Sequence, residues 1–119
     1  MKYKRKDKSH VGAENVLIAL VADYDNRRKA AEKAARAAAK EENTQTLLEI
    51  ELFSEINKTI DACLEFVEPF LRPYIREDIG ARKGWDKSQA APFIAKDTYY
   101  ARKNEAIKKM LIAFRLILQ

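Results

Sequence analysis

The residues best suited to chemistry lie in the last quarter of the chain, where hydroxyl, guanidinium and ammonium groups are interleaved with apolar side chains. The predicted contact residues are Lys96, Thr98, Tyr99, Arg102, Lys103 and Lys109, with Arg82 and Lys83 in the glycine-containing turn before them. Groups of these types bond to phosphate oxygens and to base edges. The chemistry they predict is therefore the non-covalent recognition of double-stranded DNA.

The apolar residues around these groups recur in steps of three and four from Asp97 onward, which predicts one long amphipathic helix. Ahead of it, Asp86 is a predicted N-cap for a short helix over residues 87–91, which Pro92 should end. Two helices separated by a bend over residues 92–96 predict a helix-turn-helix unit whose second helix offers its basic N-terminal turns to the major groove. A surface helix of any basic protein can show the same stripe, so an ordinary solvated helix stays open as an alternative.

The charge of the chain is strongly segregated, although the net value is only +5. Residues 1–10 hold five basic residues against one acid, and residues 80–119 hold nine against three. Residues 11–79 hold nine basic residues against fourteen acids. Because displaced counterions supply most sequence-independent affinity for DNA, the two basic ends predict a phosphate-facing surface.

Catalytic and metal sites are not predicted. The one histidine, His10, has no ligand partner at metal-binding spacing, and the one cysteine, Cys63, falls on an apolar helical stripe where it should fill the core. The sequence shows no glycine-rich phosphate loop and no nucleophile motif, so we expect a non-enzymatic protein without a cofactor. It also lacks an apolar run of about 20 residues, which predicts no membrane span and a cytoplasmic location.

The remainder of the chain predicts an all-α protein, with long N-terminal helices followed by a C-terminal three-helix unit that contains the helix-turn-helix. Residues 1–10 should form a basic flexible tail, either a solubilising segment or an arm that contacts DNA. Residues 11–42 read as one long helix, alanine-rich in its second half. Residues 43–119 should form the helical domain. Its first helix should follow a cap at Asn43 or Thr44, and a shorter one should end at Gly80.

The helix over residues 44–68 predicts a buried stripe on one side and solvated acids on the other. The stripe is Leu48, Leu52, Phe53, Ile56, Ile60, Cys63, Leu64 and Val67. Residues 111–118 hold more apolar side chains than one helix face needs, so something must cover the excess. A homodimer built on this tail or on the N-terminal helix is one arrangement compatible with the pattern.

Three stretches together resemble the ArpU-like phage transcriptional regulators. They are VLIALVADYDNRRKAAEK, LFSEINKTIDACLEFVEPFLRPYI and, as the most specific, KDTYYARKNEAIKKMLIAF. The resemblance implies a helix-turn-helix like that of sigma-factor region 4, with Thr98, Tyr99, Arg102 and Lys103 at the start of the recognition helix. It also implies control of phage or prophage late genes. This chain departs from the family pattern at Ala95 and at the Pro92–Phe93 pair, which bears on the geometry of the turn.

The primary hypothesis is thus a sequence-specific DNA-binding transcription regulator that reads the major groove with the helix beginning near Asp97. The alternative is a helical adaptor whose acidic helix, residues 49–68, binds RNA polymerase or another phage regulator, with DNA contact secondary. Neither the operator sequence nor the sign of regulation follows from the residues.

Overall fold

The computed structural model describes residues 11–38 and 44–117, and these residues are entirely helical apart from turns. The α-helices are α1 Val11–Ala22, α2 Tyr24–Ala38, α3 Thr44–Cys63, α4 Arg72–Ala81 and α5 Lys96–Ala113, with 3-10 helices at Trp85–Lys87 and Ala91–Phe93. The predicted all-α class is confirmed. The predicted tail over residues 1–10 and the cap at Asn43 lie outside the described residues.

The predicted single helix over residues 11–42 is instead two helices that meet at Asp23; residues 39–42 lie outside the described part. Two backbone hydrogen bonds flank the junction. Asp23 N donates to the Ala19 carbonyl (3.2 Å), and Arg27 N donates to the Asp23 carbonyl (3.0 Å). The guanidinium of Arg27 also donates to the Leu20 carbonyl. A side chain inserted into the backbone ladder is a known cause of helix bending. Helix α1 packs on α4 and α5, while α2 pairs with α3.

The core is built where α1, α4, α5 and the C-terminal half of α3 meet. Its buried apolar residues are Leu17, Val21, Ile60, Cys63, Leu64, Val67, Leu71, Ile75, Ile79, Ala90, Tyr99, Ala106, Met110 and Leu111. The predicted burial of Cys63 is therefore confirmed. Helix α5 supplies four of these residues, so its second half is fixed by apolar packing on three other helices.

Helices α2 and α3 form a hairpin held by polar contacts. The Tyr24 hydroxyl donates to the Asp61 carboxylate (3.0 Å), and Arg27 Nε donates to Asn57 Oδ1 (2.9 Å). The prediction for residues 44–68 needs two corrections. Helix α3 ends at Cys63, and at its N-terminal end Leu48 and Leu52 are 60% and 59% exposed. The N-terminal end of α3 extends beyond the core. The helix face that is buried at Ile60 and Cys63 is therefore not covered at Leu48 and Leu52 by any described residue.

The end of α4 differs from its prediction. Gly80 does not terminate the helix, which continues to Ala81, and Arg82 adopts the left-handed conformation with φ 56°. Lys83 N donates to the Asp78 carbonyl (2.9 Å), and Arg82 N to the Ile79 carbonyl (3.3 Å), the two bonds of a Schellman motif. Gly80 has a different role, because an added Cβ would lie 2.8 Å from Ala22 Cα. The glycine permits close contact between the α4 and α1 backbones.

The connector to α5 is also not as predicted. In place of a short α-helix over residues 87–91, the chain forms two 3-10 turns, and Asp86 caps neither of them. Ser88 makes the local side-chain bond instead, because its Oγ accepts from Ala90 N (3.0 Å). Pro92 lies within the second 3-10 turn. Helix α5 then begins at Lys96, one residue before the predicted start.

The apolar residues that follow α5 pack in part against the core of the same chain. Arg115 takes a left-handed conformation with φ 58°, and Leu116 N donates to the Leu111 carbonyl (2.8 Å), so α5 also ends in a Schellman motif. The reversal packs Leu116 and Ile117 against the core. Within the described residues, this packing covers part of the excess apolar surface of the tail; Leu118 lies outside them.

Candidate nucleic-acid interface

A buried polar cluster fixes the start of α5. The Tyr99 hydroxyl donates to Asp78 Oδ2 (2.9 Å), and the Ser88 hydroxyl donates to the same oxygen. Asp78 is 3% exposed and Tyr99 is fully buried. Burial raises the pKa of Tyr99, and the hydrogen bond to Asp78 raises it further by a smaller amount. The cluster joins α4, the connector and α5 through one carboxylate, so it sets the orientation of the proposed reading helix.

A second link to the connector comes from the neighbouring tyrosine. The Tyr100 hydroxyl accepts a hydrogen bond from Trp85 N (3.1 Å), and Trp85 Nε1 donates to the Ile94 carbonyl (2.9 Å). A Cβ on Gly84 would lie 2.8 Å from the Tyr100 hydroxyl. The tyrosine can therefore make this bond because residue 84 is glycine.

The structure places the predicted contact residue Tyr99 inside the protein. A side chain with no accessible surface cannot contact a duplex, so Tyr99 is corrected from a DNA contact to a positioning residue. Its neighbour Thr98 is exposed on the first turns of α5, as is Lys96. The sequence pattern does not distinguish a tyrosine that contacts DNA from one that positions α5. Tyr99 and Tyr100 are adjacent in the sequence, and the structure encloses the first wholly and the second partly.

Arg102 is held by a carboxylate from another part of the chain. Its Nη2 lies 3.1 Å from Glu68 Oε1, and its Nε lies 3.4 Å from the same oxygen. The hydrogen bond from Arg102 lowers the pKa of Glu68. The second oxygen, Oε2, is buried and has no hydrogen-bond partner among residues 11–38 and 44–117. The guanidinium of Arg102 would have to leave Glu68, or share it, in order to contact DNA.

Three of the other predicted residues meet in one cleft between α1, the end of α4 and α5. Arg82, Lys83 and Lys103 line this cleft, which has a volume of about 640 Å³ and also includes Asn104 and one acid, Glu14. We call it the cationic cleft because its three cations outnumber that acid. Arg82 Nη2 donates to Asn15 Oδ1 (3.0 Å), and Lys103 Nζ donates to the Lys83 carbonyl. Residues separated by twenty positions in the sequence are thus brought onto one side of α5, as a phosphate-binding flank would require.

The outward face of α5 is formed by exposed residues spaced three or four apart, namely Asp97, Thr98, Ala101, Asn104, Glu105 and Lys108. Asn104 and Lys108 belong to this face but are not among the predicted contact residues. An asparagine amide can bond to two atoms of an adenine edge in the major groove. Steps of three and four residues from Thr98 through Ala101 could have identified both.

The opposite flank of this face carries Lys109, which lies 3.7 Å from Glu105 Oε1 and 5.5 Å from the Phe66 ring centroid. Asp97 and Glu105 are the two acids of the outward face. Asp97 lies in the first turn of α5, where the partial positive charge of the helix end favours a carboxylate. The cations around the face therefore act in a mixed field, in which Glu105 opposes the approach of phosphate.

The described residues contain no cluster of three or more histidine, cysteine or acidic side chains that could hold a metal ion. None of the helices described is both long and apolar enough to cross a bilayer. A scan against protein-family models and searches of curated proteins and solved structures find no match to this chain.

Proposed function

We propose that this chain is a sequence-specific DNA-binding transcription regulator that presents the outward face of α5 to the major groove. The observation that carries the proposal is the division of α5 into two faces. One face exposes Thr98, Ala101 and Asn104, while the other is anchored in the core by Tyr99, Ala106 and Met110. A helix that reads bases needs both an accessible face and a rigid support.

The dimensions of the face suit a groove. From Thr98 to Lys108 the helix rises about 15 Å at 1.5 Å per residue, comparable to roughly four base pairs at 3.4 Å per step. Small side chains at Thr98 and Ala101 allow the helix axis to approach the bases closely. The cationic cleft then lies to one side of the face, where the phosphates of a flanking strand would pass.

The biological setting remains a matter of resemblance. The KDTYYARKNEAIKKMLIAF stretch that resembles the ArpU-like regulators contains all of α5, including Thr98 and Asn104, and ends one residue after it. Regulation of phage or prophage late genes is the role that this resemblance implies. The two 3-10 turns before α5 differ from the first helix of a helix-turn-helix, so the proposed contact rests on α5 and the cationic cleft.

The direct test is selection of preferred sequences from a random duplex pool, followed by fluorescence anisotropy titrations on the selected duplex and a scrambled one. Asn104→Ala should lose about 1–3 kcal/mol on the selected duplex and much less on the scrambled one, because it removes a base contact. Lys83→Ala should weaken binding to both and reduce the salt slope by about one unit.

Lys29→Ala is the matched control, because Lys29 is an exposed lysine on α2, outside the proposed interface. If Lys29→Ala and Lys83→Ala lost equal duplex affinity, binding would reflect only the overall positive charge of the protein and not a defined interface. Failure of the wild-type chain to bind any duplex would overturn the proposed function.

A second candidate function, the helical adaptor that binds a transcription partner, is favoured by one observation. The acidic helix α3 exposes leucines where a self-contained domain would expose polar residues.

A further inference from the structure

An apolar face of α3 has no partner among the described residues. Leu48 and Leu52 lie one helical turn apart and are 60% and 59% exposed, so they form a short continuous ridge. The opposite side of α3 holds Asn57 and Asp61, which bond to α2. The leucines therefore point away from the hairpin partner.

Acidic side chains complete this surface. Leu48, Glu51, Leu52 and Glu55 occupy the i, i+3, i+4 and i+7 positions of α3, and all four are exposed; we call them the leucine–glutamate face. Glu49 borders its other edge and is also exposed. Over residues 47–63, where side chains are described, α3 carries one cation, Lys58, whose Nζ lies 3.8 Å from Glu55 Oε1. The face is thus apolar along its centre and negative at its edges.

We propose that the leucine–glutamate face docks a cationic amphipathic helix of another protein. From Leu48 to Glu55 the leucine–glutamate face rises about 10 Å along α3, a length that two turns of a partner helix would match. Apolar residues of the partner would cover Leu48 and Leu52, and flanking lysines or arginines would meet Glu51 and Glu55. Such charge complementarity selects the partner and speeds its association.

The charge of the face argues against two other occupants. A two-fold dimer through this face would bring Glu51 and Glu55 of both copies together, which is unfavourable for like charges. DNA would also be repelled, so the face and the outward face of α5 serve different partners. The proposal therefore extends beyond DNA recognition and does not depend on it.

A defined probe can test the proposal with the full chain. The probe is a dye-labelled 18-residue leucine–lysine peptide with its leucines in a helical stripe. Two further peptides serve as comparisons, one with the same composition in permuted order and one with glutamate in place of lysine. Anisotropy titration should show binding of the helical cationic peptide and at least roughly tenfold weaker binding of both others.

Variants locate the site. Leu48→Ser combined with Leu52→Ser should weaken peptide binding at least roughly tenfold, because two large apolar contacts are lost. Glu51→Gln combined with Glu55→Gln should weaken it and flatten its salt dependence. The matched control for the leucines is Phe93→Ser, because Phe93 is 64% exposed in the connector. Circular dichroism should be unchanged for all, since each altered side chain is exposed.

Three results would overturn the proposal. They are absence of peptide binding by the wild-type chain, equal binding of the permuted peptide, and an equal loss for Phe93→Ser and for the double leucine variant. Sedimentation showing a wild-type dimer that the leucine variant dissociates would identify a second copy as the occupant instead. Duplex affinity, measured in parallel, should not change in the leucine variant, so failure here is distinguishable from failure of DNA binding.

Discussion

Replacing Tyr99 with phenylalanine tests whether this residue positions α5. The change keeps the buried ring and removes a hydroxyl that donates to Asp78 Oδ2 at 2.9 Å. Hydrogen bonds to charged groups contribute about 1.5–3 kcal/mol. Asp78 would keep its bond from Ser88, so it would not lose every partner. We therefore expect the free energy of unfolding to fall by about 2 kcal/mol.

Urea titration followed by far-ultraviolet circular dichroism measures this change. Tyr74→Phe is the matched control, because Tyr74 is half-buried against the same core and its hydroxyl has no hydrogen bond among those described. The midpoint should move for Tyr99→Phe with little change in the slope. A loss below about 0.5 kcal/mol, or one equal to that of Tyr74→Phe, would refute the assigned role of the cluster.

Three further predictions concern backbone packing, pH and helix ends. Gly80→Ala should destabilise the protein by about 1–3 kcal/mol in urea titration, because the added methyl meets the α1 backbone at 2.8 Å. Arg102 lowers the pKa of Glu68 in the folded protein below its ordinary value of 4.5. The ionised Glu68 therefore stabilises the fold fully above pH 4.5, and this contribution is lost as the pH falls through the pKa of the folded state. In Glu68→Gln, the free energy of unfolding should depend less on pH over that range. Arg82→Gly should raise the free energy of unfolding by roughly 0.5–1 kcal/mol, because glycine adopts the left-handed conformation without strain, and it should also weaken duplex binding. Arg115→Gly should raise the free energy of unfolding without changing duplex binding.

The class and the main helix could be predicted from the sequence, because both depend on local patterns. Scarce glycine and proline with long runs of helix formers determine an all-helical chain. The start of α5 was placed within one residue, since Pro92 disfavours helix just before the apolar repeat begins. The buried positions Ile60, Leu64 and Val67 follow from the same spacing.

The errors arise where the outcome depends on distant parts of the chain. Periodicity shows that Leu48 and Leu52 share a face with buried residues, but not that α3 continues past the core. The pairing of Arg102 with Glu68 joins residues 34 positions apart, so the local pattern did not predict it. Arginine at the left-handed end of α4 is equally hard to predict, because glycine is the usual residue there.

The two proposed surfaces and the buried cluster can be separated experimentally because they depend on different parts of the fold. Asn104 and Leu52 are exposed on different helices, so their replacement should change binding and leave stability unaltered. Replacing Tyr99 should instead lower stability, since Tyr99 is buried and its hydroxyl donates to the carboxylate of Asp78 on α4. If Tyr99→Phe weakened duplex binding, the effect would arise from a shifted α5 and should therefore accompany the loss of stability. Binding lost without any loss of stability would instead place the hydroxyl at the duplex, which its burial in the free protein opposes.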